Sequence, residues 1–417
     1  MREMKDSGIK WIGNVPSNWK LSKIKYMTTQ RECVGKYSPE KDKFIGLENV
    51  IGFADRYIET STEYEVSIYD VCHKGDILFG RLRPYLAKIL TVPFDGYCTG
   101  EFLVFDSFDG CKNYLKYVLL SKPFIDEVNL STYGAKMPRA NADFILNMYL
   151  PLPKIGEQEK IAGFLDSQCS EIDAISADIQ KEIETLEQYK RSVITEAVTK
   201  GLNPDVEMKD SGVPWIGKMP ASWTCIKGKY ILKYMQKPVK PDDGVITCFR
   251  DGEVTLRSNR REDGFTMADK EIGYQGIDVG DLVVHGMDGF AGAIGISDSR
   301  GKASPVLNVL DSRQNKKYIM YYLRSMAYGD VFAALATGIR VRSCDLRWNK
   351  LSVLLYPVPP LEEQAEIVRY IEDTLNKANA VISEKKQQLE VLDSYKKSLI
   401  YEYVTGKKEV PLWKSNT

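Results

Sequence analysis

The sequence predicts an α+β protein built twice, with two globular domains at opposite ends of a pair of long antiparallel coiled-coil-like helices related by a pseudo-two-fold. Three observations predict it. Three separate stretches recur at spacings of 204 to 206 residues, each copy contains one long helical pattern, and each contains short strand patterns broken by turns. Matches this collinear point to duplication of the chain. The expected order is a first globular domain over 1–150, a first helical spacer over 151–203, a second globular domain over 204–355, and a second spacer with a C-terminal tail over 356–417.

The repeat opens each half. Glu3 to Trp19 reads EMKDSGIKWIGNVPSNW and Glu207 to Trp223 reads EMKDSGVPWIGKMPASW, with Trp11 on Trp215, Pro16 on Pro220, Trp19 on Trp223 and Tyr26 on Tyr230. These aromatic and proline positions suit an apolar joint. A second match follows each variable region, where Pro153, Gln158 and Ile161 align with Pro359, Gln364 and Ile367. A third aligns the segments that begin at Tyr189 and Tyr395.

Between Glu157 and about Val198 there is no proline, and Leu165, Ile172, Ile179, Leu186 and Val193 recur every seven residues. That spacing is the mark of a coiled-coil seam. Ile175 and Ile183 fill the adjacent face. The second copy places Ile371, Leu375, Ala378, Ile382, Leu389, Leu392 and Leu399 on the same stripe, interrupted by Lys385. About 42 residues at 1.5 Å each make a rod of roughly 60 Å. Two helices each lying on its own domain would overhang it, so each rod is expected to partner the other, antiparallel about a two-fold.

The variable stretches, 24–150 and 228–355, share little sequence. Both read as several strands flanked by helices. Basic side chains gather on their expected loops. The first region offers Arg81, Arg83 and Lys88 around RLRPYLAK, with Tyr85 among them, then Lys136 and Arg139 in YGAKMPR. The second offers Arg250, Arg257, Arg260 and Arg261, then Arg340, Arg342 and Arg347. A glycine followed by spaced cations suits phosphate, and arginine can also grip guanine edges.

Composition excludes several alternatives. Of the 417 residues, Lys and Arg together number 57, as do Asp and Glu, so the chain is no polycation. Eight cysteines without a CxxC and only two histidines, His73 and His285, make a metal site unexpected. No stretch of about 18 apolar residues suggests a membrane span, and a reduced, cytoplasmic protein is expected. The sequence contains neither a GxxxxGK[ST] phosphate cradle nor a GxGxxG dinucleotide fingerprint. PDVEMK, from Pro204 to Lys209, spells a nuclease-like signature, but its acids are too close in sequence to lie on neighbouring strands and belong to the repeated joint. No catalytic residue is expected.

The whole pattern resembles the specificity subunit of type I restriction-modification enzymes. The resemblance rests on the SG-x-x-WIG-x-x-P-x-x-W openings, GDILFGRLRPYLAK, the glycine-led basic loops, the EQ-x-x-I helix starts, and the YK-x-S-[VL]-I helix ends. It implies two target recognition domains, each reading half of a split double-stranded DNA site, with the helices as ruler. It implies no cofactor in this chain. S-adenosylmethionine, ATP and magnesium are expected on partners: two adenine-methylating subunits and two translocating restriction subunits. Because the two domains differ, the implied site is asymmetric. The alternative is a coiled-coil scaffold whose globular ends bind proteins, which would account for the repeat and the rods but not for basic loops in both domains.

Overall fold

A computed structural model describes residues 2–260, 272–334 and 346–411. The chain is mixed α and β and divides into two compact units, residues 1–179 with 386–417, and residues 180–385. The rods are helices Ile155–Lys200 and Leu361–Val404, 46 and 44 residues long. Sequence boundaries set the rods apart as spacers, whereas by packing each unit takes part of both rods.

Both units are built on the same four-stranded antiparallel sheet. In the first, its order is Ile89–Thr91, Ile77–Gly80, Phe102–Phe108, Thr28–Gln30. In the second, the matching order is Ile294–Ile296, Leu282–His285, Leu307–Ser312, Leu232–Met235. Successive strand residues face opposite sides, and here both sides are apolar. Ile77, Phe79 and Phe105 enter one core, shared with helix Lys112–Leu120 and the rods, while Leu78, Phe102 and Val104 enter a second beneath a smaller sheet. Leu282, Val284 and Leu310 divide from Val283, Leu307 and Val309 in the same way. The two variable regions therefore share a framework that their sequences hide.

In each unit the rod segments run antiparallel. Phe164 meets Tyr403 at 4.6 Å between ring centres, and further along Asp173 accepts from Lys396 at 2.6 Å. In the other unit Glu182 pairs with Lys385, which accounts for the lysine interrupting the seam. Leu165, Ile172, Val193, Ile371, Ile382 and Leu399 are buried. Ile179, Leu186, Leu375, Leu389 and Leu392 are half-buried, and Ile175, expected on the adjacent face, is exposed. The stripe is deepest where a domain covers it, because a two-helix seam alone covers only a narrow strip.

The repeated opening is a hairpin, Met4–Asp6 with Asn14–Pro16 and Met208–Asp210 with Lys218–Pro220. Asp6 and Asp210 accept from the amides of Gly8 and Gly212, and Lys5 and Lys209 donate to the carbonyls of Trp19 and Ala221. Lys209 of the nuclease-like signature is thus a hairpin strut. Each hairpin packs on a rod's C-terminus within its own unit. Lys407 donates to Ile12 O at 2.6 Å, and Gly406 lies against Pro16 and Trp19. Gly201 lies against Pro220 and Trp223.

Both glycines are left-handed, with φ of 71° and 74°, a conformation that costs an alanine about 1–2 kcal/mol. At Gly406 a Cβ would also stand 2.5 Å from the Pro16 ring, whereas at Gly201 the nearest atoms are at 3.3 Å. Gly201→Ala should therefore cost about 1–2 kcal/mol and Gly406→Ala about 2–5 kcal/mol, since overpacking adds roughly 1–3 kcal/mol. Calorimetric unfolding of the two variants measures the difference.

Candidate nucleic-acid interface

In the first unit, strand Ile77–Gly80 ends in a loop that bends through a one-turn 3-10 helix, Pro84–Leu86. Arg83 and Ala87 flank that turn with φ of 50° and 45°, left-handed positions that non-glycine residues rarely take. Neighbouring backbone holds them there. Arg83 N donates to Pro138 O at 2.7 Å, and Ala140 N donates to Arg81 O at 2.9 Å. Leu82 bridges Arg139, which bridges Tyr133. The two basic loops, far apart in sequence, form one surface.

The sequence-predicted cations divide by role. Arg139 Nε donates to both Glu101 oxygens at 2.9 and 3.0 Å, and this hydrogen bonding holds the Glu101 carboxyl below the usual carboxylate range. Arg81 donates to Gly100 O at 2.6 Å, and its Nε is buried. Lys88 donates to Leu47 O at 2.5 Å, and burial lowers its pKa. These three brace the loops. Arg83, Tyr85 and Lys136 face solvent, and neither Arg83 nor Lys136 meets a carboxylate among the described residues. Sequence reasoning missed Tyr133, Leu86 and Met137, which are also exposed there. The signal was available, because Tyr133 and Met137 lie inside the basic segment. Aromatic faces between cations suit stacking on bases beside charged backbone.

The second unit arranges its charges differently. Aligning GDIL with GDLV puts Asp288 where the first unit has Arg83, and Asp288 accepts from Arg250 at 2.9 Å. Arg260 pairs with Asp251 and Glu253, each at 3.1 Å, with its guanidinium 4.3 Å from the Phe249 ring centre. Arg257 donates to Thr247 at 3.3 Å, and Arg324, which the sequence reading did not single out, donates to Asp251 O at 2.7 Å. Exposed Arg347 precedes the short helix Trp348–Leu351. Arg261, Arg340 and Arg342 lie outside the described residues. His285 accepts from the amides of Met287 and Asp288, and burial lowers its pKa. His73 lies half-exposed beside Asp95. Surface pairs of this kind stabilise little, but they fix guanidinium planes, the geometry that bidentate recognition needs.

The sequence model of the type I restriction modification DNA specificity domain matches residues 16–185. Over that stretch the chain is similar to the type I specificity domain. It is 27% identical over 207 residues to the MjaVIII specificity subunit of Methanocaldococcus jannaschii, covering 45% of this chain and 47% of that one. It is 20% identical over 239 residues to the EcoDI specificity subunit of Escherichia coli, covering 53% and 52%. The chain thus spans about half the length of these curated relatives. A chain solved in work on complex assembly and conformational transition of the type I R-M system shares the fold with a TM-score of 0.66 at 15% identity, over 94% of this chain and 99% of that one. No described helix is long and apolar enough to cross a membrane.

Proposed function

We propose that this chain is the non-catalytic DNA-recognition subunit of a type I restriction-modification complex, each globular domain reading one half of an asymmetric bipartite site. The observation that carries this reading is the joined loop surface of the first unit. It presents Arg83, Tyr85, Tyr133 and Lys136 to solvent within the stretch matched by the DNA specificity domain. Phosphate contacts would supply much of the affinity and a few base contacts the sequence choice. Arg250, Arg257, Arg260 and Arg347, with Arg261, Arg340 and Arg342, take the corresponding role in the second domain. The different placement of charge in the two units supports two different half-sites.

In the same proposal the rods set the spacer between half-sites and dock two methylation subunits, with two restriction subunits completing the complex in the cytoplasm. S-adenosylmethionine, ATP and magnesium belong to those partners. A purely structural scaffold gives no reason for two distant loops to converge on a surface of uncompensated cations and aromatics.

The test is methylation by the assembled complex at limiting enzyme. Arg83→Gln with Lys136→Gln should reduce modification of the cognate site roughly tenfold or more, since loss of a base-reading contact is worth about 1–3 kcal/mol. Any relaxation of specificity should fall in one half-site only. Unchanged rates and an unchanged site would remove this surface from the interface.

A further inference from the structure

A second basic and aromatic feature lies outside these loops and, unlike them, is the same in both units. Just after the hairpin tryptophan each copy reads Lys-x-Lys-Tyr, as Lys23, Lys25 and Tyr26, and again as Lys227, Lys229 and Tyr230. Each motif ends in a one-turn helix, Ile24–Met27 or Gly228–Ile231. Ile24 and Ile231 anchor the turns in the core, while Tyr26 and Tyr230 are 70% and 72% exposed. In each turn the second lysine lies near the adjacent ring, 5.2 Å from the centre of Tyr26 and 4.9 Å from that of Tyr230. Lys25, Lys227 and Lys229 are exposed and meet no carboxylate among the described residues. Lys23 is half-buried and donates to Asn147 at 3.3 Å.

The seating of the turn also repeats. Ile24 N donates to Met148 O, at the end of helix Ala142–Asn147, and that helix directly follows the loop carrying Lys136 and Arg139. In the second unit Gly228 N and Lys229 N donate to Leu354 O and Ser352 O, just after helix Trp348–Leu351, which follows Arg347. In the first unit the turn and the basic loop, and in the second the turn and Arg347, stand at the two ends of one short helix, six and four residues long. At 1.5 Å per residue the helix separates them by only about 6–9 Å.

A single exposed tyrosine needs no explanation. One repeated with its lysines at the same place, beside loops that have diverged, does. Contacts that read bases must differ between two different half-sites, whereas contacts to the sugar–phosphate backbone need not. We propose that each Lys-x-Lys-Tyr turn is a sequence-independent clamp on the DNA backbone, its ammonium groups pairing with phosphates and its tyrosine hydroxyl donating to a phosphate oxygen. The proposal rests on the DNA-recognition reading above.

The experiment measures binding of the full chain, alone and co-expressed with the methylation subunits of its system, to a random-sequence duplex across a salt series. Each lysine on a phosphate contributes about 0.9 to the slope of log affinity against log salt. Lys25→Gln and Lys229→Gln should therefore each make the slope less negative by about one, and the double variant by about two, while the methylated sequence stays the same. Arginine at the same positions should restore the slope, and Tyr26→Phe with Tyr230→Phe should weaken binding without changing it. A parental slope in the double variant overturns the proposal. So does a changed recognition sequence. Lost co-purification with the methylation subunits at an unchanged slope would make the turn a protein-docking site and overturn it equally. If the parental chain binds no DNA in either form, the DNA-recognition reading itself fails, a result distinct from all of these.

Discussion

Replacing Trp223 by alanine is expected to destabilise its unit by about 3–5 kcal/mol, the range for removing a fully buried indole. Trp223 has no exposed surface, packs against the Tyr318 ring and lies 3.3 Å from the Cβ position of Gly201 at the rod's end. Trp19→Ala should cost nearly as much, because Trp19 is 1% exposed in the matching place. Phenylalanine separates the two sites. Trp223 Nε1 donates to Glu363 at 3.0 Å. In the first copy the matching carboxylate, Glu157, is held by Arg2 at 2.6 Å, and Trp19 Nε1 is buried without an acceptor among the described residues. Trp223→Phe should therefore cost about 1 kcal/mol more than Trp19→Phe, the net worth of a hydrogen bond. Calorimetry gives the comparison. Equal losses in the two phenylalanine variants would show that the indole hydrogen bond contributes nothing.

The second large effect is expected at the glutamines of the helix starts. Gln364 is fully buried, donates to Pro359 O at 2.8 Å and accepts from Asn315 N at 2.9 Å. Gln158 repeats this with Pro153 O at 2.9 Å and Cys111 N at 3.0 Å. One side chain thus closes the turn into the rod and satisfies an amide at the start of the domain's own helix, Lys316–Tyr328 or Lys112–Leu120. Gln364→Leu keeps the volume but leaves a half-buried donor, Asn315 N, and a buried acceptor, Pro359 O, without the glutamine. At about 1–3 kcal/mol for each such group, the expected loss is about 3 kcal/mol. Gln158→Leu should behave similarly, and hydrogen exchange should show the first turn of the domain helix opening in both variants. Protection unchanged at Asn315 and Cys111 would contradict the bridging role.

The hairpins, the rods and their seam were legible because their physics is written locally. Turn glycines, prolines and a seven-residue apolar period need no distant partner to be recognised. The framework shared by the variable regions was not, since alternating apolar residues on a sheet buried on both faces leave no polar contrast to align. Tyr114 and Tyr318 show the same limit. Each occupies the same place on its domain helix. Tyr114 donates to Pro151 O and Val404 O, and Tyr318 to Pro357 O and Val198 O. Nothing in the sequence around a helical tyrosine announces two carbonyls so remote. The candidate interface divided for a related reason. Sequence shows where cations cluster, but not that Arg139 and Arg81 would be spent on Glu101 and Gly100 while Arg83 remained in solvent.

The make-up of the two units sets an order of events during synthesis. Residues 180–385 are contiguous and hold everything the second unit needs, whereas the first unit also requires residues 386–417. At about 5–20 residues per second, the ribosome adds the intervening segment in roughly 10–40 s. Throughout that interval Ile161, Leu165 and the apolar side of the first hairpin lack Leu399, Ile400, Tyr403 and Val404, which complete their core. The half of the chain made first is therefore finished last. A nascent chain halted before Lys386 should leave the ribosome with one folded unit and one hydrophobic surface still open to a chaperone.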